Sequence, residues 1–332
     1  MPSTSAIPPS AAPASAPSAV YCASPGLGLL SFSGPDAEAF LQGQLSNDLK
    51  ALAPGAVQLS SYNSPKGRML ATLVLWREGA DGFRALVTAD IAAATARRLA
   101  MFVLRSRLTV ADLSPSHALV GIAGAGARDA ARAAVGSVPE AGHVDVRAEA
   151  TTIALPDGRI VVAIASADVL AVRTRLANVA TEVGTAAWQW FGVRAGVPMI
   201  GAATRDLFVL QTANWDVLDG VSFHKGCYTG QEIIARTQYL GRLKERMHLF
   251  HSDAPPPSPG AKVFGAVFGD QACGAVVEAA PSPDGGSDLL AVVQLSALDG
   301  PLHVGTPDGP VLAPLALPYA LPIATNPIRP KV

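Results

Sequence analysis

The sequence predicts an α+β protein, in which antiparallel sheets carry helices on one face and a small β-barrel or sandwich ends the chain. Short apolar runs alternate with helical patterns between residues 28 and 179. The order of elements before residue 113 is similar to the order after residue 117, although no direct repeat is visible. After Glu245 the helical patterns stop, and Pro and Gly separate short apolar runs. This combination is typical of sheet-and-helix layers followed by an all-β unit.

The first group of elements contains a hairpin and a well-marked helix start. Two apolar runs, 56–62 and 69–76, flank Asn63-Ser64-Pro65-Lys66-Gly67, which indicates a hairpin turn. A helix is predicted to start at Gly34-Pro35-Asp36, because proline suits a first helical turn and a carboxylate complements its positive end. The remaining predicted elements of this group are strands at 28–32, 83–88 and 108–113 and a helix at 91–104.

The second group has a similar order, and the last third of the chain has only strands. Strands are predicted at 117–123, 151–155 and 159–164, with helices at 127–135 and 169–179. The predicted strands of the final unit are 246–251, 272–279, 289–295 and 311–317.

The bulk composition excludes several classes of protein. The 332 residues are 49% hydrophobic and 15% charged, with a net charge of −1 at pH 7. This suits two or three packed domains, and no global basic field is present for strong, direct nucleic-acid binding. No apolar run reaches the roughly 20 residues of a membrane helix. Residues 1–20 are almost entirely Pro, Ala and Ser, so we predict a disordered tail rather than a targeting segment.

The three cysteines, Cys22, Cys227 and Cys273, lie far apart in the sequence. No Cys/His cluster has the spacing of a closed metal site, so we expect no stably bound metal. An odd number of widely spaced cysteines is typical of a reduced protein, and the expected location is the cytoplasm.

The segment at 225–232, KGCYTGQE, carries the most chemistry. Thr229 and Glu232 have the spacing of a capping box, which predicts a helix from Gly230 to about residue 240. The positive helix end and the neighbouring Lys225 would both favour the thiolate of Cys227. A thiolate suits a nucleophile or a transient ligand. The alternative is that the thiol simply packs in a tight turn.

Residues 220–246, GVSFHKGCYTGQEIIARTQYLGRLKER, closely resemble the signature of the YgfZ family. Shorter pieces of the family pattern follow in the right order. They are GPD at 34–36, FLQGQLSND at 40–48, KGR at 66–68 and RAGVP at 194–198. Together these pieces span roughly residues 25–250, which is most of the chain.

The resemblance implies the glycine cleavage T-protein-like fold, a three-domain ring of two α/β sandwich domains and a C-terminal β-barrel. Residues 21–113 with 187–245 would form the N-terminal folate-binding domain, 114–186 the middle domain and 246–332 the barrel. Tetrahydrofolate is the ligand that the resemblance implies for the central hole. It also implies a role in assembling or maintaining iron–sulfur enzymes, including those that methylthiolate tRNA.

The resemblance further suggests ligand contacts, each with an ordinary alternative. Trp188 could stack on a pterin or pack in a core. Lys66 and Arg68 could meet the glutamate tail of folate or be solvated turn charges. Asp48 could bind a folate ring nitrogen or cap a helix, and Arg194 could pair with a carboxylate or lie on the surface. Lys225 and Tyr228 are assigned to the Cys227 site, although Tyr228 could instead fill the turn.

Three functions compete at this point. We expect a folate-binding accessory factor whose partners are iron–sulfur client enzymes or assembly proteins, rather than an enzyme with its own turnover. In this case Cys227 is a thiol partner or a transient ligand, since one thiolate cannot hold a cluster alone. The alternative is a folate-dependent C1 transferase of the aminomethyltransferase type. A scaffold with a decayed folate hole is the third, because Leu27 stands where some relatives have tryptophan.

Overall fold

The computed structural model describes residues 18–239, 241 and 243–322. Within these ranges the chain forms three β-sheets, and helices cover parts of them. In chain order the first elements are β1 (Val20–Cys22), β2 (Leu27–Ser33), α1 (Ala37–Gln44), β3 (Val57–Asn63), β4 (Met69–Arg77), β5 (Gly82–Thr88), α2 (Ala89–Ala100) and β6 (Thr109–Asp112). The next are β7 (His117–Ala123), α3 (Ala127–Val135), β8 (His143–Val146), β9 (Ala150–Ala154), β10 (Ile160–Ala165), α4 (Val169–Ala177), β11 (Thr181–Glu182), α5 (Thr185–Arg194) and α6 (Gln231–Tyr239). The last are β12 (Glu245–Ser252), β13 (Lys262–Gly265), β14 (Ala272–Pro281), β15 (Ser287–Gln294), β16 (Leu302–Val304) and β17 (Val311–Leu315).

The first sheet has the strand order β3-β4-β5-β2-β6, and all its pairs are antiparallel. The hairpin between β3 and β4 is the one expected from its turn residues, and Gly67 takes a φ of +70° there. Helices α1 and α2 pack on this sheet over a core of Leu, Phe and Ala side chains. The helices and the sheet therefore form two layers, and their apolar faces pack against each other.

The second sheet has the order β11-β1-β7-β10-β9-β8 and carries α3 and α4 on one face. Strand β1 pairs antiparallel with β7 and parallel with β11. Tyr21 and Cys22 therefore lie in the sheet of the middle segment, although the predicted boundary placed them in the first domain. Ala19 and Val20 are also buried, so the part of the predicted tail that is described belongs to the fold. Residues 1–17 of that tail lie outside the described residues.

The last unit is a closed six-stranded barrel with the order β12-β15-β14-β13-β16-β17. Helix α5, which the sequence analysis missed, lies between this barrel and the second sheet. Side chains from all three sheets meet around it in one apolar core, among them Leu29, Val161 and Leu290. The three units thus surround a common centre.

Candidate functional site

A cavity of about 270 Å³ opens where the three sheets meet. Leu27, Thr88 and Asp90 line it from the first sheet and α2, and Arg159 lines it from the second sheet. Val277 and Glu278 line it from the barrel, and α5 contributes Trp188. The volume lies just under the ~300–1,000 Å³ typical of ligand pockets.

Trp188 lies in the wall of the cavity and is buried, with 2% of its surface exposed. The guanidinium of Arg159 covers its ring, with Cζ 4.6 Å from the ring centroid. Gly121 lies against the five-membered ring on another side, where a Cβ would overlap the indole. The indole therefore packs against the guanidinium of Arg159, and both residues line the cavity.

Arg159 is fixed by neighbours on two elements. Asp157 accepts hydrogen bonds from its Nε at 3.0 Å and from its Nη2 at 2.7 Å, and both residues are buried. Gly192, one helical turn after Trp188, leaves the space that the guanidinium fills. The charge is thus paired and oriented before any ligand arrives, which is what a preformed polar site needs.

Glu278 projects from β14 into the same cavity and is half-buried. Its Oε2 accepts one long hydrogen bond, 3.4 Å, from the backbone N–H of Met199. Burial raises the pKa of this carboxyl to about 7, and the opposing influence of Arg159 and of the Met199 N–H is smaller. A carboxylate with so little compensation inside a cavity is a candidate for contact with a ligand.

A small apolar extension of about 20 Å³ adjoins the cavity and shares Leu27, Arg159, Trp188 and Met199 with it. Its other walls are mostly aliphatic side chains of the first sheet and of the turn before β10, and Asp157 and Val197 complete them. The combined space therefore has an apolar end and a charged end.

The second site predicted from the sequence, around Cys227, is separate from this cavity. Cys227 is exposed and does not line the cavity. In the part of the chain that the structure describes, it has no hydrogen-bond or ion-pair partner. Its thiol is thus accessible to another molecule, in contrast to the buried thiols of Cys22 and Cys273, whose pKa values are raised by burial.

Lys225 is placed differently from the expectation that it tunes the thiol. Its Nζ donates to the carbonyl oxygens of Gln42, Leu45 and Asn47 at 2.7, 2.7 and 2.8 Å. These carbonyls lie at and just after the C-terminal end of α1, where a cation is favourable. All three ammonium hydrogens are used there, so Lys225 has none left for a hydrogen bond to Cys227. Burial lowers the pKa of Lys225 to about 8, and Asp48 opposes this shift.

Tyr228 is buried against Lys225, whose Nζ lies 5.1 Å from its ring centroid. Burial raises the pKa of its hydroxyl, which has no hydrogen-bond partner among the described residues. Tyr228 is thus buried in the turn before α6.

Helix α6 begins at Gln231, one residue later than predicted, and the capping-box hydrogen bonds between Thr229 and Glu232 are not formed in the described residues. Gly230 has a φ of +83° and lies directly against the hairpin turn, where a Cβ would overlap the Ser64 carbonyl oxygen. The backbone at Gly230, rather than a side-chain cap, therefore sets the entry of the chain into α6.

The other predicted contact residues lie away from the cavity. Lys66 is exposed at the tip of the hairpin turn. Arg68 donates to the carbonyl oxygens of Asp206 and Leu207, and Asp48 accepts from Gln42 Nε2 at 2.8 Å and from the Lys50 N–H at 3.1 Å. Nη1 of Arg194 lies 3.6 Å from Oδ2 of Asp288 on the barrel. Of the predicted ligand contacts, only Trp188 lines the cavity.

Sequence reasoning missed Arg159, Asp157 and Glu278. The turn Pro156-Asp157-Gly158 was visible as a turn, and Glu278 lies on a barrel strand without a motif. Glu278 shares a cavity with Arg159 only because the barrel packs near the second sheet, and no local pattern encodes this arrangement. Among the described residues no group of three or more His, Cys, Asp or Glu side chains could hold a metal ion. Of the helices that the structure describes, none has both the length and the apolar character needed to cross a membrane.

The fold is that of the aminomethyltransferase-like proteins. The structure is similar to glycine cleavage system aminomethyltransferase T from Bartonella henselae, with a TM-score of 0.74 and 17% identity, covering 91% of this chain and 86% of that chain. Residues 22–161 match the family model of the GCVT N-terminal domain. The predicted fold class is thereby confirmed.

Sequence relatives then identify the particular family. The protein from Serratia proteamaculans called tRNA-modifying protein YgfZ is 31% identical over 300 residues, which are 88% of this chain and 90% of that protein. The protein of the same name from Sodalis glossinidius is 29% identical over 299 residues, again 88% and 90% of the two chains. The chain belongs to the YgfZ family, as the motif at 220–246 indicated.

Proposed function

We propose that this protein binds tetrahydrofolate and acts as an accessory factor for iron–sulfur enzymes, including those that modify tRNA. The observation that carries the proposal is the central cavity, in which an aromatic wall, a paired cation and a poorly compensated carboxylate converge from three units. Relatives that are called tRNA-modifying proteins point to the tRNA branch of this role. The iron–sulfur branch rests on the resemblance of the motif around Cys227.

The residues of the cavity suit the ring system of a folate. Leu27, Trp188 and the aliphatic extension would contact its apolar faces. Arg159 and Glu278 would contact its polar edge, because heteroaromatic rings of this kind carry both donors and acceptors. The glutamate tail would leave through the open side of the cavity, since the volume is too small to enclose it.

The exposed thiol of Cys227 supports a contact with a partner protein. Because Cys227 does not line the cavity, it is available to a partner protein without passing the ligand. A thiolate from one chain can serve as a transient ligand or exchange partner, while the client supplies the remaining ligands. In this proposal the central cavity binds folate, and the segment at 225–232 contacts the client enzyme.

A folate-dependent C1 transferase is the second candidate, and the similarity of fold to an aminomethyltransferase favours it. The two proposals differ in what the purified protein does alone. A transferase would move a C1 unit between tetrahydrofolate and an aminomethyl donor, whereas an accessory factor would bind the folate without turnover.

The decisive experiment combines binding and complementation. Calorimetric titration of the purified protein with tetrahydrofolate should give saturable binding with one site per chain. In a bacterial strain lacking its own YgfZ protein, the wild-type chain should restore tRNA methylthiolation, and Cys227→Ala should not. Full rescue by Cys227→Ala would remove the thiol from the proposed role. C1 turnover without a client would favour the transferase, and absence of binding would favour the scaffold.

A further inference from the structure

Glu278 is the least compensated charged group that faces the central cavity. The three other charged side chains around it have partners of their own. Arg159 is paired with Asp157 at 2.7 Å, and Asp90 accepts a hydrogen bond from the Ala202 N–H at 2.8 Å. Glu278 has only the 3.4 Å hydrogen bond from Met199 N–H, and it forms no ion pair among the described residues. An ionised carboxylate is costly in such a position unless something else binds it.

We propose that Glu278 is the residue that selects the ligand's ring, by accepting hydrogen bonds from two adjacent N–H groups at the edge of a 2-amino-4-oxopyrimidine. This inference rests on the proposed function, since the ring of tetrahydrofolate has this edge. It goes further by assigning recognition to the barrel, which carries no part of the family motif.

The chemistry of the edge favours a carboxylate over the other groups in the cavity. The amino group and the neighbouring ring N–H are parallel donors, and the two oxygens of one carboxylate accept such a pair side by side. Arg159 has donors only, so it cannot accept from this edge and instead suits the 4-oxo group. Trp188 has its face against Arg159 and supplies shape rather than hydrogen bonds at this edge.

The position of Glu278 also makes ring binding sensitive to pH. In the free protein, burial holds the pKa of Glu278 near 7, with Arg159 acting in the opposite direction; Asp157 and Asp90 are the other charges around the cavity. Binding of N–H donors favours the ionised carboxylate, so it lowers this pKa and releases a proton near neutral pH. Affinity should therefore be full above pH 7 and decrease as the pH falls below it.

The test is calorimetric titration of tetrahydrofolate into the full chain under anaerobic conditions, comparing wild type, Glu278→Gln and Asp270→Asn. Glu278→Gln keeps the shape but offers only one acceptor oxygen and no charge, so affinity at pH 8 should fall about 10- to 100-fold. Asp270→Asn removes an exposed carboxylate from the barrel, outside the cavity, and its affinity should change less than about threefold. Between pH 8 and pH 6 wild-type affinity should fall roughly tenfold, and that of Glu278→Gln should stay flat.

Several outcomes separate this inference from the proposed function. If wild type binds tetrahydrofolate and Glu278→Gln binds it equally well, or with the same pH dependence, the inference is wrong and the proposed function stands. If wild type does not bind tetrahydrofolate at any pH, both are wrong.

A thermal-unfolding control tests whether Glu278→Gln is folded. The folded-state pKa of Glu278 is raised from 4.5 to about 7, so the folded chain holds this proton longer than the unfolded chain does. Wild-type stability should therefore fall as pH rises from about 4.5 to 7, and Glu278→Gln should lack this decrease. If the glutamine variant does not fold, Glu278→Asp serves instead. It should bind more weakly than wild type with the pH dependence retained, and wild-type affinity in Glu278→Asp would overturn the inference.

Discussion

Cys227 and Lys225 are two positions apart and have opposite surroundings. The thiol is exposed and has no partner in the described residues, whereas the ammonium is buried and bound to three carbonyl oxygens. Lys225 therefore stabilises the fold, and the thiol of Cys227 is accessible. A shared motif has thus combined a residue needed for structure with one available for chemistry.

Replacing Lys225 by Met should destabilise the protein by about 2–4 kcal/mol, because three buried carbonyl oxygens at the end of α1 lose their donor. Urea unfolding followed by circular dichroism measures this change. Lys50→Met is the matched control, since Lys50 is exposed, and its effect should stay within about 0.5 kcal/mol. Equal effects for the two variants would contradict the structural role of Lys225.

Replacing Cys227 by Ala should leave the unfolding free energy within about 0.5 kcal/mol of wild type, because the side chain is exposed and makes no polar contact. Complementation of tRNA methylthiolation should nevertheless be lost. Cys273→Ala is the opposite control: it removes a buried thiol from the barrel, so it should cost about 1 kcal/mol and keep complementation. Loss of stability in Cys227→Ala would mean that the thiol is structural.

At the scale of secondary-structure elements, α6 is held by its contact with the hairpin between β3 and β4. Gly230 lies on the Ser64 carbonyl and on Gly67, and Gln211 Nε2 donates to the Ile234 carbonyl at 2.7 Å. Two pieces of sequence that resemble the family pattern, KGR at 66–68 and the segment at 225–232, thus form one contact.

Gly230→Ala should destabilise the protein by about 1–3 kcal/mol, because φ is +83° and the added Cβ would overlap backbone atoms of the hairpin. Gly226→Ala is the matched control in the same segment. A Cβ there meets nothing within 4 Å, so stability should be nearly unchanged. Hydrogen exchange of residues 231–239 should become faster in Gly230→Ala alone. Unchanged exchange in that variant would show that the hairpin contact does not hold α6.

The elements that the sequence predicted are those with a local pattern. The hairpin strands and the amphipathic α3 were visible because their apolar periodicity and turn residues are contained within a few positions. Helix α5 was not, since Trp188, Trp190 and Val193 are buried on more than one side and leave no amphipathic stripe. Cys227 could be selected as a candidate because it lies in a contiguous motif. Glu278 and Arg159 lie on different sheets, so only the structure shows that they line the same cavity.

For the whole molecule, the connection between the motif region and the barrel is a buried ion pair. Arg246 at the start of β12 donates to both carboxylate oxygens of Asp216, at 2.6 and 2.9 Å, and also to the Gln211 carbonyl at 2.8 Å. This pair fixes the barrel against the segment that precedes α6. Since Glu278 enters the cavity from the barrel, the pair also fixes the geometry of the candidate site.

Arg246→Met should cost about 3–5 kcal/mol, because it leaves the largely buried Asp216 without its partner. Tetrahydrofolate affinity should fall as well, through displacement of the barrel. Arg147→Met removes an exposed arginine paired with Asp145 and should change stability by less than about 0.5 kcal/mol. Denaturant unfolding and calorimetry on the two variants check both statements. If Arg246→Met is destabilised but its tetrahydrofolate affinity is unaltered, the position of the barrel does not control ligand binding.

The position of β1 in the second sheet has a consequence for how the protein is made. The Tyr21 hydroxyl donates to Glu182 Oε2 at 2.8 Å, across 161 positions of the chain, and β1 pairs in parallel with β11. A nascent chain leaving the ribosome therefore carries its first strand unpaired on that edge until residue 182 has emerged. At about 5–20 residues per second this lasts of the order of ten seconds or more. During that time the apolar strand Val20–Cys22 presents an open edge on which another chain can pair, so incomplete chains should associate more readily than complete ones.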